Sequence, residues 1–177
     1  QTPGHTPLMP VIFVAGTPGV GKTKLSTQIC AASELRHVNI SAEVIDNELF
    51  EEYDQEFDTH IPDEEKLLAH LTPIVEAGNV LIDHHTPDTL PEDWPDLVVV
   101  LRTRTDTIYD RLTERGYSKL KHSENMEAET MGVVEYDSFE YFGTDRVLVM
   151  QHNDEDENKA ALEAVLKWIE DHKEDKK

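Results

Sequence analysis

Continuous apolar runs of strand length recur along the chain, and amphipathic stretches separate them. The runs are "VIFVAG" at residues 11–16, "NVLID" at 79–83, "LVVVLR" at 97–102 and "RVLVM" at 146–150. A run that is apolar at every position is typical of a strand covered on both faces, as in a parallel sheet. The pattern therefore predicts four buried parallel strands.

The stretches between these runs carry signals of helix ends. One begins with acids at Asp63, Glu64 and Glu65, which favour a helix N-terminus, and ends in Gly78, which suits a helix C-terminus. The segment "TDTIYDRLTERG" ends in the same way at Gly116. A last helix carries one apolar stripe, made by Ala161, Leu162, Val165, Leu166 and Ile169. Strands alternating with helices predict an α/β fold, with a parallel sheet covered on both faces and joined by right-handed crossovers.

Length and composition indicate a single domain, expected over residues 11–172. A chain of 177 residues removes roughly 70% of its unfolded surface from water when it folds, enough for a substantial core. Residues 1–10, "QTPGHTPLMP", lack the basic start and apolar segment of a secretory signal, so we expect a disordered leader or an artificial extension. Residues 173–177 are expected to form a solvated, charged tail. No apolar run approaches the ~20 residues that span a bilayer, and no membrane partner is expected.

The formal net charge of −21 narrows the range of partners. Such a surface repels nucleic acid phosphates and anionic lipids over roughly 8–10 Å, so direct nucleic acid binding is not expected and a protein partner should be basic. The alternative is that the charge serves only solubility. The single cysteine, Cys30, cannot form an internal disulfide, which favours a reducing compartment such as the cytosol or nucleus.

The first apolar run ends in a glycine-rich loop with the spacing G-x-x-x-x-G-K-T, from Gly16 to Thr23. The loop follows a predicted strand and precedes a predicted helix, the context in which this motif holds nucleotide phosphates. Glycines let backbone N–H groups approach phosphate oxygens, and the helix N-terminus adds positive potential. Lys22 is expected to reach the β- and γ-phosphates, and the Thr23 hydroxyl to ligate Mg²⁺. The alternative is a glycine-rich turn that binds nothing.

Adenine is the predicted base of this nucleotide. A GTPase would carry a guanine-reading Asn-Lys-x-Asp, and the nearest stretch, "ENKAAL" from Glu157, lacks the Asp. We therefore expect ATP or ADP with Mg²⁺ as the cofactor.

Asp83, at the end of "VLIDHH", is expected to hold Mg²⁺ through a water, although an ordinary strand-end Asp is the alternative. Alternation along an extended chain places His85 on the same side as Asp83, where it would contact the attacking group or its water. His84 is expected to be mostly structural. "DHH" is also the core of a metal-dependent phosphoesterase family, which gives a rival interpretation, although the further Asp-rich motifs of that family are not found.

Several motifs together resemble the adenylate kinase 6 family, also called coilin-interacting nuclear ATPase protein. They are "GTPGVGKT", the Asp-x-His of Asp83 and His85, "LVVVLR", "LTERGYSKLKHSENMEAE" and "VLKWIE". The resemblance covers residues 11–172 and is far more specific than the phosphate loop alone.

The resemblance implies a P-loop NTPase fold of the adenylate kinase type, with a central five-stranded parallel sheet. It implies a nucleoside monophosphate (NMP) segment at residues 39–62 and a short lid at residues 114–124. It also implies phosphoryl transfer from ATP to AMP, slow ATP hydrolysis, and a nuclear and cytoplasmic location. The resemblance further implies a role in maturation of the small ribosomal subunit, through a basic ribosomal protein that would complement the acidic surface. The protein is expected to be a monomer.

Site residues carry over from the family by position. The expected nucleotide-binding residues are Gly19, Val20, Gly21, Lys22, Thr23, Lys24, Arg111 and Arg115. The expected catalytic residues are Lys22, Asp83, His85 and Arg115, with Thr23 and Asp83 as magnesium ligands. In adenylate kinases one arginine of such a pair stacks on adenine and the other grips phosphates. The alternative for Arg111 and Arg115 is a surface pair on one helix face that bridges to Asp110 or Glu114.

The chain departs from the family where AMP should bind. Residues 37–62 contain no Lys or Arg but eight acids, and Asp93 stands where the family often has an arginine. Unless Arg102 or Arg104 holds the AMP phosphate, kinase activity should be weak, and the acidic segment would instead dock a basic protein. The leading hypothesis is thus an AMP kinase with ATPase activity, and the second is a nucleotide-gated assembly ATPase that binds a basic ribosomal protein.

Overall fold

The computed structural model describes residues 10–174. The seven strands are β1 (Val11–Ala15), β2 (Arg36–Asn39), β3 (Phe50–Asp54), β4 (Thr59–Pro62), β5 (Val80–Asp83), β6 (Leu97–Arg102) and β7 (Val147–Gln151). Five of them form one parallel sheet in the order β2-β5-β1-β6-β7, and β3 pairs with β4 as an antiparallel hairpin. The five-stranded parallel sheet expected from the resemblance is confirmed.

Seven helices surround the sheet in the described part of the chain. They are α1 (Lys22–Ala31), α2 (Ile40–Asp46), α3 (Glu64–Ala77), α4 (Thr105–Glu114), α5 (Lys119–Met131), α6 (Val133–Phe142) and α7 (Glu155–Glu174). A short 3₁₀ turn, Pro87–Thr89, lies between β5 and β6. Both glycine-terminated stretches are helices, α3 and α4, as their end signals predict.

The four predicted strands are present, with ends shifted by no more than one residue. The run at 146–150 begins one residue later, at Val147, and the run at 79–83 begins at Val80. Sequence reasoning missed β2, since it is an edge strand in which only Val38 is buried. It also missed the β3–β4 hairpin, whose strand residues are mostly polar and none of which is buried.

The core has two halves, one on each face of the sheet. Alternate side chains of β1 enter opposite halves: Phe13 packs in the half with α3 and α6, and Val14 in the half with α1, α4 and α7. The ring of Phe13 meets that of Phe142 edge to face at 5.8 Å between centroids. Because both faces are covered, the strands can be apolar at every position, which is the pattern read from the sequence.

Most of the predicted leader, residues 1–9, and residues 175–177 of the predicted tail lie outside the described residues. Pro10 is buried, and its carbonyl oxygen accepts a hydrogen bond from Val80 N–H at 3.1 Å. Helix α7 continues through Glu174, so the first two residues of the predicted tail are helical. Within residues 10–174, no helix combines the length and apolar character that crossing a membrane requires.

The predicted NMP segment, residues 39–62, contains α2 and the β3–β4 hairpin. The predicted lid, residues 114–124, spans the end of α4 and the first half of α5. Both lie beside the carboxyl ends of the parallel strands, where ligands bind in open α/β sheets. The functional boundaries of the two segments stay a prediction.

Candidate functional site

A cavity of about 940 Å³ opens at the carboxyl ends of β1, β2 and β5. Its walls come from the glycine-rich loop, the residues after β5, the β3–β4 hairpin, the first turns of α2 and α3, and the predicted lid. The predicted site residues that line it are Gly19, Gly21, Lys22, Thr23, Asp83, His85 and Arg115. Predicted site residues from three separate parts of the sequence therefore meet in one cavity.

Two glycines give the loop its shape. Gly19 and Gly21 have φ angles of +99° and +101°, which side-chain-bearing residues rarely adopt. A Cβ on Gly21 would lie 2.5 Å from the His152 ring, so glycine is also required there for space. The loop follows β1 directly and leads into α1 at Lys22, as the motif predicts.

Side chains from distant segments hold the loop backbone. The Val20 side chain is fully buried, while its carbonyl oxygen accepts hydrogen bonds from Arg111 Nη1 at 3.0 Å and from the His152 ring at 2.7 Å. Arg111 also donates to the carbonyl oxygen of Asn153 at 3.1 Å. Arg111 therefore packs against the loop, and it does not bridge to the neighbouring acids.

A second, smaller pocket adjoins the loop on its other side. Its lining includes two further predicted nucleotide-binding residues, Lys24 and Arg111, together with Arg115, His152 and Asn153. Lys24 pairs with Glu155 at the start of α7. Arg115 lies just beyond the end of α4, is exposed, and lines both pockets. Its guanidinium is near enough to Lys22 to disfavour the charge of that residue.

The Lys22 ammonium sits inside the turn of the loop. It donates hydrogen bonds to the carbonyl oxygens of Gly16 at 2.7 Å and Thr17 at 3.2 Å. Burial lowers its pKa to about 8, with Asp83 opposing the shift and Arg115 adding to it. An anion at the loop would strongly favour the charged form of this side chain.

Asp83 is the meeting point of three strands. It ends β5, is in register with Val14 of β1 and Asn39 of β2, and is almost fully buried. Its Oδ2 accepts hydrogen bonds from Thr23 Oγ1 at 2.8 Å, Asn39 Nδ2 at 3.0 Å and His37 Nε2 at 3.3 Å. Burial by itself would raise the pKa of Asp83, but these hydrogen bonds and the Lys22 charge outweigh it and lower the pKa. Asp83 is thus ionised at neutral pH.

The pairing of Thr23 with Asp83 fits a magnesium site. A hydroxyl and an ionised carboxylate are 2.8 Å apart at the edge of the cavity, beside the loop that would hold phosphates. Mg²⁺ prefers such oxygen ligands and takes only one or two from protein when it is bound with a nucleotide. Thr23 would hold the ion directly and Asp83 through a water.

The two histidines after Asp83 differ in exposure. His84 is buried, and its Nδ1 has no hydrogen-bond partner among the described residues. The exposed His85 lies at the cavity mouth with its ring 4.2 Å from that of His84. Although part of its surface is open to solvent, the cavity walls partly desolvate the imidazole and, with the charges of Lys22 and Lys121, lower the pKa of His85 below its usual value. His85 is therefore neutral at physiological pH and can accept a hydrogen bond from water.

Sequence reasoning missed Glu129, a buried carboxylate in α5 that supports the loop. Its Oε2 accepts a hydrogen bond from Thr17 Oγ1 at 2.7 Å. Its Oε1 accepts from Arg102 Nε at 2.9 Å and from the Thr103 N–H at 2.8 Å. Glu129 ends the family-like stretch "LTERGYSKLKHSENMEAE", but the stretch does not single it out, because its helix is rich in acids and its partners are far away in the chain.

The same contacts decide the role of Arg102. Besides the Glu129 carboxylate, its guanidinium bonds Glu135 and donates to the carbonyl oxygen of Glu129 at 2.8 Å. Arg104 is exposed and pairs with Asp106 at 3.3 Å. Neither arginine lines the large cavity. Arg102 therefore serves the loop framework, and the structure does not place either arginine where an AMP phosphate would bind.

Comparison with known structures defines the class of the fold. A family model described as an AAA domain matches residues 12–132. The shikimate kinase from Acinetobacter baumannii, in complex with shikimate, superposes with a TM-score of 0.65 at 14% identity, covering 93% of this chain and 96% of that one. At this identity the likeness establishes the fold alone, which is that of the P-loop kinases.

Sequence relatives then identify the family. The adenylate kinase isoenzyme 6 homolog of Caenorhabditis elegans is 36% identical over 158 residues, covering 88% of this chain and 87% of the relative. The adenylate kinase isoenzyme 6 homolog FAP7 of Saccharomyces cerevisiae is 38% identical over 160 residues, covering 90% and 81%. The chain belongs to the adenylate kinase isoenzyme 6 family, which confirms the resemblance read from its motifs.

Replacing Glu129 should destabilise the protein strongly. Glu129→Ala leaves the Thr17 hydroxyl and the Thr103 N–H without their buried acceptor, while Arg102 keeps Glu135, and we expect the free energy of unfolding to fall by about 2 to 4 kcal/mol. Urea denaturation followed by tryptophan fluorescence measures this change. The matched control is Glu127→Ala, an exposed position on the same helix, which should change stability by no more than about 0.5 kcal/mol. Equal losses in the two variants would contradict a supporting role for Glu129.

Nucleotide binding at alkaline pH should take up a proton. The pKa of Lys22 is about 8 in the free protein, and bound phosphate must raise it. At a pH between these two pKa values, binding therefore takes up as much as one proton per nucleotide. The apparent affinity for the nucleotide falls as the pH rises. Calorimetric titration of ADP with Mg²⁺ at about pH 9, in two buffers of different ionisation enthalpy, counts the proton. Lys22→Arg, whose guanidinium stays charged, should abolish the uptake; no uptake by the unaltered protein would argue against a phosphate contact at Lys22.

Proposed function

We propose that this protein is an ATP-dependent nucleoside monophosphate kinase that converts ATP and AMP into two ADP and hydrolyses ATP slowly by itself. The observation that carries the proposal is the shape of the cavity. One half is formed by the glycine-rich loop and Asp83, and the other by α2, the β3–β4 hairpin and α3. A phosphoryl donor and an acceptor can therefore lie side by side in one cavity.

The donor half supplies positive charge and fixed hydrogen-bond donors. The Lys22 ammonium lies within the loop turn and can exchange its carbonyl partners for phosphate oxygens of ATP. Arg115, at the junction of the two pockets, can add a second positive group over the same phosphates. Bound Mg²⁺ would neutralise charge on the phosphates being separated.

Catalysis in this arrangement is mainly positioning and charge stabilisation. Thr23 and Asp83 fix the metal side of the donor, and Lys22 with Arg115 holds the transferring phosphoryl group in line with the acceptor. Phosphoryl transfer needs little covalent chemistry from the protein, so rigid placement of these groups is the main requirement.

The acceptor half has an apolar wall that suits a nucleoside. Val44, Ile45, Phe57, Leu67 and Leu68 line it. A planar base can bury much of its surface against such side chains. The relatives named adenylate kinase support AMP as the acceptor.

The alternative proposal is a nucleotide-gated assembly ATPase that binds a basic protein and has little AMP kinase activity. The observation that favours it is the acidic surface of the hairpin, where Glu51, Glu52, Glu56 and Asp58 are all exposed. A basic ribosomal protein of the small subunit would complement that charge. His85, neutral and facing the cavity, would then orient the attacking water.

The cellular role that we propose is maturation of the small ribosomal subunit, in the nucleus and cytoplasm, by a monomeric protein. It rests on the family and on the net charge of −21, which suits a basic partner. It applies under either activity, since both use the same ATP-binding loop.

Measuring ADP formation with and without AMP tests the proposal. AMP should accelerate ADP formation, with two ADP produced for each AMP consumed, and Lys22→Met should reduce the rate by about 10²-fold or more. A rate of ATP consumption that AMP leaves unchanged would favour the assembly ATPase. Phosphatase activity with Mn²⁺ that persists in Lys22→Met would instead support the phosphoesterase interpretation of "DHH".

A further inference from the structure

We propose that Lys121, in the first turn of α5, binds the phosphate of the acceptor and so replaces the basic residues that are missing from residues 37–62. This inference rests on the proposed function, because it requires an acceptor that carries a phosphate monoester.

Within the described residues, three cationic side chains line the large cavity: Lys22, Arg115 and Lys121. Lys22 belongs to the donor loop, and Arg115 lies at the junction with the smaller pocket. Of the three, Lys121 contacts the β3–β4 hairpin, which belongs to the acceptor half of the cavity. A dianionic phosphate in the acceptor half therefore has Lys121 as its nearest lysine or arginine outside the donor machinery.

The other cations near the sheet are engaged elsewhere. Arg102 bonds Glu129 and Glu135, and Arg111 holds the loop backbone. Arg146 donates to the carbonyl oxygens of Pro95 and Phe142. Arg36 begins β2 and is therefore at the amino end of the sheet, away from the cavity.

The position of Lys121 fits an acceptor phosphate. Its ammonium donates a hydrogen bond to the carbonyl oxygen of Asp58, in the hairpin turn, at 3.2 Å. The same nitrogen lies 4.5 Å from the centre of the Tyr117 ring. It is also close enough to His85 to disfavour a positive charge there, as Lys22 does. Lys121 thus lies between the acceptor half of the cavity and the two residues, Lys22 and His85, that would flank the γ-phosphate.

The ammonium is also available for an anion. Among the described residues, the Lys121 ammonium forms no ion pair within 4.0 Å. It contacts the carbonyl oxygen of Asp58 and the face of the Tyr117 ring. The carboxylate of Asp58, the residue whose carbonyl oxygen Lys121 contacts, accepts a hydrogen bond from the Tyr53 hydroxyl. An ammonium group has three N–H donors, so a phosphate can bind Lys121 without first breaking an ion pair.

This assignment specifies the acceptor as well as the residue. An acceptor should carry a phosphate at one end, to meet Lys121, and an apolar or aromatic group at the other, to pack on the wall that includes Ile45 and Phe57. Lys121 lies in the predicted lid and donates a hydrogen bond to the hairpin. The same side chain therefore connects the lid with the acceptor half of the cavity.

The test compares two ligands that differ only in the phosphate. AMP and adenosine are titrated into the unaltered protein, Lys121→Met and Lys119→Met, each with Mg²⁺ and a non-hydrolysable ATP analogue. Lys119→Met is the matched control, since Lys119 is exposed, lies on the same helix turn and does not line the cavity. Both variants lose one positive charge.

We expect Lys121→Met to weaken AMP binding by about 10- to 100-fold, the usual effect of losing a charge-assisted hydrogen bond. Adenosine binding should change by less than about twofold, and Lys119→Met should leave both ligands within that range. Lys121→Arg should recover much of the AMP affinity, because it restores the charge.

Three results would overturn the assignment. Equal AMP affinity in Lys121→Met and Lys119→Met would show that Lys121 does not contact the phosphate. Equal loss of AMP and adenosine in Lys121→Met would show a packing role. If the unaltered protein binds the ATP analogue but neither AMP nor adenosine, the acceptor site fails together with the proposed kinase function, whereas the first two results leave that function standing.

Discussion

The loop between β1 and α1 must keep a backbone shape that only glycine accepts at Gly19 and Gly21, and the rest of the site depends on that shape. Tertiary contacts stabilise it. Arg111 and His152 hold one carbonyl oxygen of the loop, and Glu129 holds the Thr17 hydroxyl. These side chains come from α4, from the residue after β7 and from α5, so the loop is formed correctly only when the whole sheet and its helices are in place. Preorganised N–H groups of this kind do not have to rearrange when phosphate arrives.

Electrostatics set a second constraint, since a chain with net charge −21 has to attract a polyanion. It does so by distributing its few cations unevenly. Exposed lysines such as Lys24 and Lys167 pair with nearby carboxylates on the surface. Lys22 and Lys121 instead face the cavity with neutral partners, where their charges are weakly screened. The walls of the cavity also carry carboxylates, among them Glu64, Asp88 and Glu124, so attraction of a polyanion depends on these few cations lying where its phosphates would bind.

Sequence reasoning succeeded where the signal is local. The loop motif occupies eight adjacent residues, and the strand before Asp83 is apolar at every position, so both could be read without a structure. It failed where a role depends on distant partners. Glu129 meets Thr17 across 112 positions, and Lys121 reaches the carbonyl oxygen of Asp58 across 63. Both residues lie in the family-like stretch at residues 112–129, but that stretch does not separate them from its other charged residues, because their roles depend on partners that only the folded chain brings near.

Asn39 shows how closely the two halves of the cavity are joined. Its side-chain oxygen accepts a hydrogen bond from the Ala42 N–H and so caps α2, while its amide nitrogen donates to Asp83. The Asn39 side chain therefore connects the first turn of α2 to the Asp83 carboxylate. If α2 rotates away from the sheet, either the helix loses its cap or Asp83 loses a donor. A change in the geometry of one half of the cavity therefore alters a hydrogen bond in the other half.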